Sequence, residues 1–212
     1  IMKQTNTKKI AVLAMLTALA FVAVALLRVP VFIFLKYEPK DVVIVLGGFL
    51  YGPLAAAVIS ALVSFLEMLT VSDTGLIGFV MNFISSAAFA CVAALVYKKK
   101  HTLSGAVLGL LAGVVSMTAV MLLWNFILTP LYMGTPRVEV AAMLIPVFLP
   151  FNLLKSLLNS AIAVLLYRPL VQGLRRANLF PQSTAAAGRG KLWVWLAAAL
   201  VLVVGIVLLI VI

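Results

Sequence analysis

The segment PFNLLKSLLNS places Asn152, Lys155 and Asn159 at i, i+3 and i+7, a single stripe of an α-helix. Inside a bilayer an ionisable group or an unpaired amide costs several kcal/mol, so each of these side chains needs a partner or a ligand. Lys155 is an ammonium with no acceptor capacity, whereas Asn152 both donates and accepts. Together they suit a polar small molecule bearing carbonyls or hydroxyls. In a second reading Lys155 pairs with Glu67 inside the bundle, which does not exclude contact with a ligand. Asn82, Asn125 and Glu67 complete the costly set, each near an end of its own apolar run. Taken singly, each amide is explained equally well by an interhelical hydrogen bond of about 1 kcal/mol. Their convergence on one level favours a water-accessible pocket. Phe32, Phe34, Tyr37, Phe83, Trp124 and Phe126 can add flat surfaces for a planar ring.

Other chemistries lack their residues. There is no phosphate-binding GxxxxGK[ST], no His/Cys metal cluster and no Ser-His-Asp set; the single histidine, His101, follows the basic run KKK. Cys91 is the single cysteine, which excludes an intramolecular disulfide and reads as a small buried hydrophobe.

The elements that must position these residues are membrane helices. The 212 residues are 66% hydrophobic and 10% charged, with a mean hydropathy of +1.27, far from the composition of a soluble domain. The apolar runs are continuous rather than alternating, which argues for helices over a strand barrel. The net charge of +11 comes from short basic clusters flanking apolar runs. Lipid headgroups, not nucleic acid, are the matching counter-charge.

The runs predict a first helix from about Lys9 to Leu27, kept as a helix rather than removed as a signal peptide. A short second helix covers about Asp41 to Leu50, hinged by Gly52-Pro53 to a third ending near Leu69. The fourth covers about Leu76 to Tyr97 and the fifth Leu103 to Ile127. The sixth covers about Val140 to Leu170, with Pro146 and Pro150 kinking it or delaying its start. A polar linker and a seventh apolar run, Leu192 to Ile212, follow. With the N-terminus inside, eleven basic residues flank inner ends and four flank outer ends, the asymmetry of cytoplasmic positive charge. The opening loop, the 71–75 turn and the 128–139 loop then share the outer face. On the first helix Ala14 and Ala18, extended by Ala11 and Ala25, form a small-xxx-small face suited to docking within the bundle or to a partner.

The segments FLKYEPKDVVIVLGGFLYGPLAAA, the NF at Asn82-Phe83, NFILTPLYMG from Asn125 and PFNLLKSLLNSAIAVLLYRPL, with the spaced alanines of the first helix, resemble the riboflavin-specific S component of energy-coupling factor (ECF) vitamin transporters. The resemblance covers about residues 8–172. It implies an all-α polytopic protein: a six-helix substrate-binding membrane domain over 1–172, here followed by a cytoplasmic basic linker (173–191) and an additional transmembrane helix (192–212) outside the family pattern. It further implies capture of riboflavin from outside as transported substrate, with no cofactor and no metal. The expected partners are a transmembrane T component and two cytoplasmic ATP-hydrolysing subunits, in the cell membrane. Asn125, Asn152 and Lys155 are the implied polar contacts to the ligand, with Asn82, Tyr37 and Glu67 added by extension. Ala14 and Ala18 are the implied T-component surface. The opening loop becomes a lid, with Lys36, Glu38, Lys40 and Asp41 as its solvated, mutually paired charges and Phe34 and Tyr37 turned inward. The alternative for that loop is a solvated turn without gating.

Three other readings compete. One is an S component for thiamine, biotin, folate or a queuosine precursor. Another is a lipid-acting membrane enzyme with Glu67 and Asp73 as candidate acids. The last is a structural membrane subunit that tolerates leucine at Asn152 and Lys155.

Overall fold

The structure is a computed structural model that describes residues 6–32, 35–72, 74–176 and 192–211. Helix α1 (Asn6–Leu27) leads into a small hairpin, β1 (Val29–Phe32) and β2 (Leu35–Tyr37), paired antiparallel with Val29 opposite Tyr37. Helices α2 (Lys40–Tyr51) and α3 (Pro53–Thr70) follow, separated by Gly52 at φ 90°. That left-handed value favours glycine, and Pro53 opens α3 where its missing N–H costs nothing. Then come α4 (Gly75–Lys99), α5 (Leu103–Met133) and α6 (Arg137–Met143). A π-helical turn (Leu144–Phe148) joins α6 to α7 (Leu149–Arg176), and α8 (Leu192–Val211) completes the described chain.

Among the described residues, six stretches are long and apolar enough to cross a membrane: α1, α3, α4, α5, the α6–α7 rod and α8. Helix α2, at 12 residues, is only about 18 Å long. Nine of its residues are buried, and it touches α1, α3, α4 and α7. A helix wrapped by protein need not match the bilayer. The result is a six-helix bundle of α1 to α5 and the α6–α7 rod, with α8 packed on α7. There Gly205 faces Leu158 and the Arg168 guanidinium lies 5.2 Å from the Trp195 ring centre, so α7 and α8 run antiparallel.

The structure corrects three local expectations. The fifth helix does not stop near Ile127 but continues through Pro130 to Met133, where Gly134 (φ 65°) ends it. Part of the opening loop is a β-hairpin, and α2 begins at Lys40, one residue before the expected start at Asp41. Pro146 marks a π-turn within a continuous rod, because a proline removes one helical N–H and crowds the preceding turn.

A close helix contact follows from the small-residue stripe of Gly109 and Gly113. A Cβ on Gly109 would stand 2.5 Å from the Ala93 carbonyl oxygen, and one on Gly113 2.6 Å from that of Phe89. Helices α4 and α5 therefore touch backbone to backbone, as small-residue spacing permits. Gly109→Leu must push the two apart, and overpacking of this kind costs about 1–3 kcal/mol or more. A lower melting temperature of the detergent-purified variant is expected; an unchanged one contradicts this packing.

Candidate ligand-binding site

At the hairpin end of the bundle lies a cavity of about 480 Å³, within the roughly 300–1,000 Å³ range of small-molecule sites. Asn82 and Ser85 reach it from α4, Met121 and Asn125 from α5, and Phe151, Asn152 and Lys155 from α7. Arg28, Leu35, Lys36 and Glu38 close it from the hairpin side, Ser72 and Thr74 from the turn before α4, and Tyr132 and Met133 from the last turn of α5. The three loops expected on one face do meet here, and Arg28 Nη1 donates to the Val71 carbonyl at 2.5 Å.

Asn82, Asn125, Asn152 and Lys155 line this one cavity. The interhelical hydrogen-bond reading does not describe the amides of Asn125 and Asn152. Asn152 Nδ2 donates to the Phe148 carbonyl one turn back at 2.7 Å. Asn125 Nδ2 donates to Met121 O at 2.7 Å, and its Oδ1 accepts from Thr129 at 2.9 Å. Both side chains are braced by their own helices. Asn82 and Asn159 do bridge elements: Asn82 Nδ2 donates to Glu67 Oε2 at 2.7 Å, and Asn159 accepts from the Tyr37 hydroxyl at 3.0 Å. Tyr37 and Glu67 lie behind the lining rather than in it.

The charges beside the hairpin are not solvated. Glu38, Lys40 and Asp41 are 3%, 1% and 0% exposed. Lys40 Nζ stands 2.9 Å from Glu38 Oε2 and 2.7 Å from both oxygens of Glu67. Glu38 Oε1 meets Arg28 Nε at 3.0 Å. Asp41 accepts from Ser86 at 2.5 Å and from Asn159 at 3.4 Å. The expected solvated face is thus an internal network, because charges removed from water persist only when paired and hydrogen-bonded. The Lys155–Glu67 pairing also gives way: Glu67 is taken by Lys40, and Lys155 Nζ lies 3.9 Å from Glu38 Oε2. Of the expected pairings, that of Lys40 with Glu38 is present, and Lys36 lines the cavity.

Among the flat side chains, Phe83 stacks on Phe79, Phe126 lies under Arg137 and Trp124 lines a separate apolar groove with Leu128 and Leu131. Among the described residues the aromatic rings at the cavity are Phe151 and Tyr132, which lie in the segments PFNLLKSLLNS and NFILTPLYMG rather than among the flat side chains expected there. Phe34, Asp73, the Phe32 side chain and linker residues 177–191 lie outside the described residues. Among the described residues no group of three or more His, Cys, Asp or Glu could hold a metal ion.

Burial by itself would raise the Glu38 pKa, but the Lys40, Lys155 and Arg28 cations outweigh it and lower it from 4.5 to about 2. Burial likewise works against a charged Lys40, yet Glu38, Glu67 and Asp41 hold its pKa above the ordinary value of 10.5. For Tyr37, burial first and Asp41 second raise the phenol pKa, so it stays a donor. A depressed carboxylate stabilises the fold fully above its unfolded pKa and loses that contribution as pH falls through the folded one. Glu38 therefore predicts a melting temperature that falls as pH drops from 4.5 towards about 2, with no share in any change between pH ~5 and ~8. Lys40 contributes below 10.5 and is lost only as pH rises beyond it. If Glu38→Gln abolished a melting-point transition near neutral pH, this assignment would be wrong.

Comparison with known proteins agrees with this geometry. The family described as ECF transporter, substrate-specific component, matches residues 8–167, which include α1 to α5 and most of α7 and stop short of α8. The riboflavin transporter FmnP of Bacillus subtilis (strain 168) is 30% identical over 189 residues, covering 82% of this chain and 99% of that protein. The riboflavin transporter RibU of Staphylococcus aureus (strain TCH60) is 28% identical over 181 residues, covering 81% and 94%. A solved S component of a bacterial ECF transporter superposes with a TM-score of 0.67 at 30% identity, covering 81% of this chain and all of the other. A multi-pass bundle of this topology, matched over three quarters of its length, belongs to the substrate-specific components of ECF transporters.

Proposed function

We propose that this chain captures riboflavin at the outer face of the cell membrane and passes it inward with a T component and two ATP-hydrolysing subunits, with no chemical step on the ligand. The observation that carries the proposal is the cavity. Three amides, of Asn82, Asn125 and Asn152, and the ammoniums of Lys36 and Lys155 stand among Leu35, Met121, Met133 and Phe151. Riboflavin needs that mixture, because its ring is apolar on both faces while its edges carry carbonyls and an imide and its ribityl chain carries hydroxyls. Two relatives are named riboflavin transporters, which supports this vitamin over others.

The cytoplasmic N-terminus follows from the positive-charge asymmetry, and it directs the cavity outward. Residues 1–172 form the binding unit, and α8, which contributes nothing to the cavity lining, is an accessory span. On α1, Ala11, Ala14, Ala18 and Ala25 are all exposed. Their small-residue face is turned away from the bundle, so another helix can approach it closely. We assign it to the T component. The test is ATP-dependent riboflavin uptake in vesicles containing the whole transporter. Ala14→Trp with Ala18→Trp should abolish uptake and leave riboflavin affinity of the isolated chain unchanged. Uptake at the wild-type rate would overturn the docking assignment.

A further inference from the structure

Resting on the riboflavin reading, we infer that Lys40 and Glu67, which do not line the cavity, are positioning residues that fix Asn82 as a hydrogen-bond acceptor towards the ligand. Lys40 is 1% exposed, and its ammonium is 2.7 Å from both oxygens of Glu67. With that cation in place Glu67 offers its neighbours only acceptors. Asn82 Nδ2 lies 2.7 Å from Glu67 Oε2, so the amide nitrogen must face Glu67, since the opposite flip would set two acceptors against each other. The carbonyl oxygen of Asn82 is then turned away from Glu67. Among the described residues it meets no donor, although Asn82 lines the cavity.

The same ammonium holds the facing wall. Its third contact is Glu38 Oε2 at 2.9 Å, while Arg28 Nε stands in an ion pair with Glu38 Oε1 at 3.0 Å. Both oxygens of the cavity's carboxylate are thereby engaged, and Lys155, 3.9 Å from Glu38, keeps donor capacity for a ligand. One buried cation thus sets two polarities. Asn82 on α4 accepts, reading an N–H or O–H of the vitamin, and Lys155 on α7 donates, reading a carbonyl.

A mutant cycle tests this with riboflavin titrated against the full chain. Glu67→Leu and Asn82→Leu should each weaken binding about tenfold, the order one hydrogen bond supplies. Because they act through one contact, the double variant should lie within about twofold of the weaker single. Wild-type affinity in Glu67→Leu, or losses that multiply, would overturn the relay. Should Glu67→Leu fold poorly, Lys40→Met with Glu67→Leu removes cation and carboxylate together and leaves Glu38 to Arg28 and Lys155. It should bind as weakly as Asn82→Leu, and wild-type affinity there would also overturn the relay. A second readout needs no ligand: in protein labelled at asparagine nitrogen, the Asn82 side-chain amide resonance, assigned by its loss in Asn82→Leu, should shift in Glu67→Leu. No shift counts against the relay. A shift in a chain that fails to bind riboflavin sinks the riboflavin reading and leaves the relay standing.

Discussion

Lys40→Met is expected to destabilise the ligand-free protein by about 3–5 kcal/mol, the cost of removing one partner from a buried ion pair. The size of the effect comes from what stays behind. Glu67 is 1% exposed and would keep only the Asn82 amide among the contacts described above. Glu38 would retain Arg28 at 3.0 Å and Lys155 at 3.9 Å. Uncompensated charge at Glu67 is therefore the main penalty, and adding Glu67→Leu should recover most of the lost stability. Thermal unfolding in detergent reads both variants. A Lys40→Met protein that melts like wild type would mean that the network is dispensable.

The second large effect is on affinity. Asn152→Ala combined with Lys155→Ala removes an amide and an ammonium from one wall of the cavity. A neutral hydrogen bond and one to a charged group together supply about 2–4 kcal/mol, so riboflavin binding should fall roughly 30- to 1,000-fold. The fold should survive, because Asn152 is bonded within its own helix and Glu38 keeps Lys40 and Arg28. Quenching of flavin fluorescence measures the change, and a double variant that binds within about threefold of wild type would remove these residues from the site.

The membrane helices and the level at which polar groups gather were legible because both are written in local spacing. Asn152 and Lys155 are three apart on one helix, and each apolar run declares its own length. The fate of the charges was not legible. Lys36, Glu38, Lys40 and Asp41 are neighbours along the chain, which suggested that they satisfy one another in water. The partner that makes burial possible is Glu67, on α3, and the tethers of Asp41 come from α4 and α7. Spacing along a sequence does not record partners across a bundle. Small residues carry the same ambiguity. Gly109 and Gly113 bury their stripe against α4, whereas Ala14 and Ala18 leave theirs exposed, and the pattern alone does not say which stripe faces inward. Pro130 misled in a simpler way. A proline lowers helix stability, but the apolar run continues past it, and the helix ends where Gly134 turns left-handed.

The most direct test of the central claim is to purify the full chain in detergent, identify by absorbance and mass spectrometry what copurifies, and titrate the emptied protein with riboflavin, thiamine, biotin and folate. A copurified flavin and tight, saturable binding of riboflavin alone among these vitamins are expected. Tight binding of a different vitamin, or of none, would contradict it.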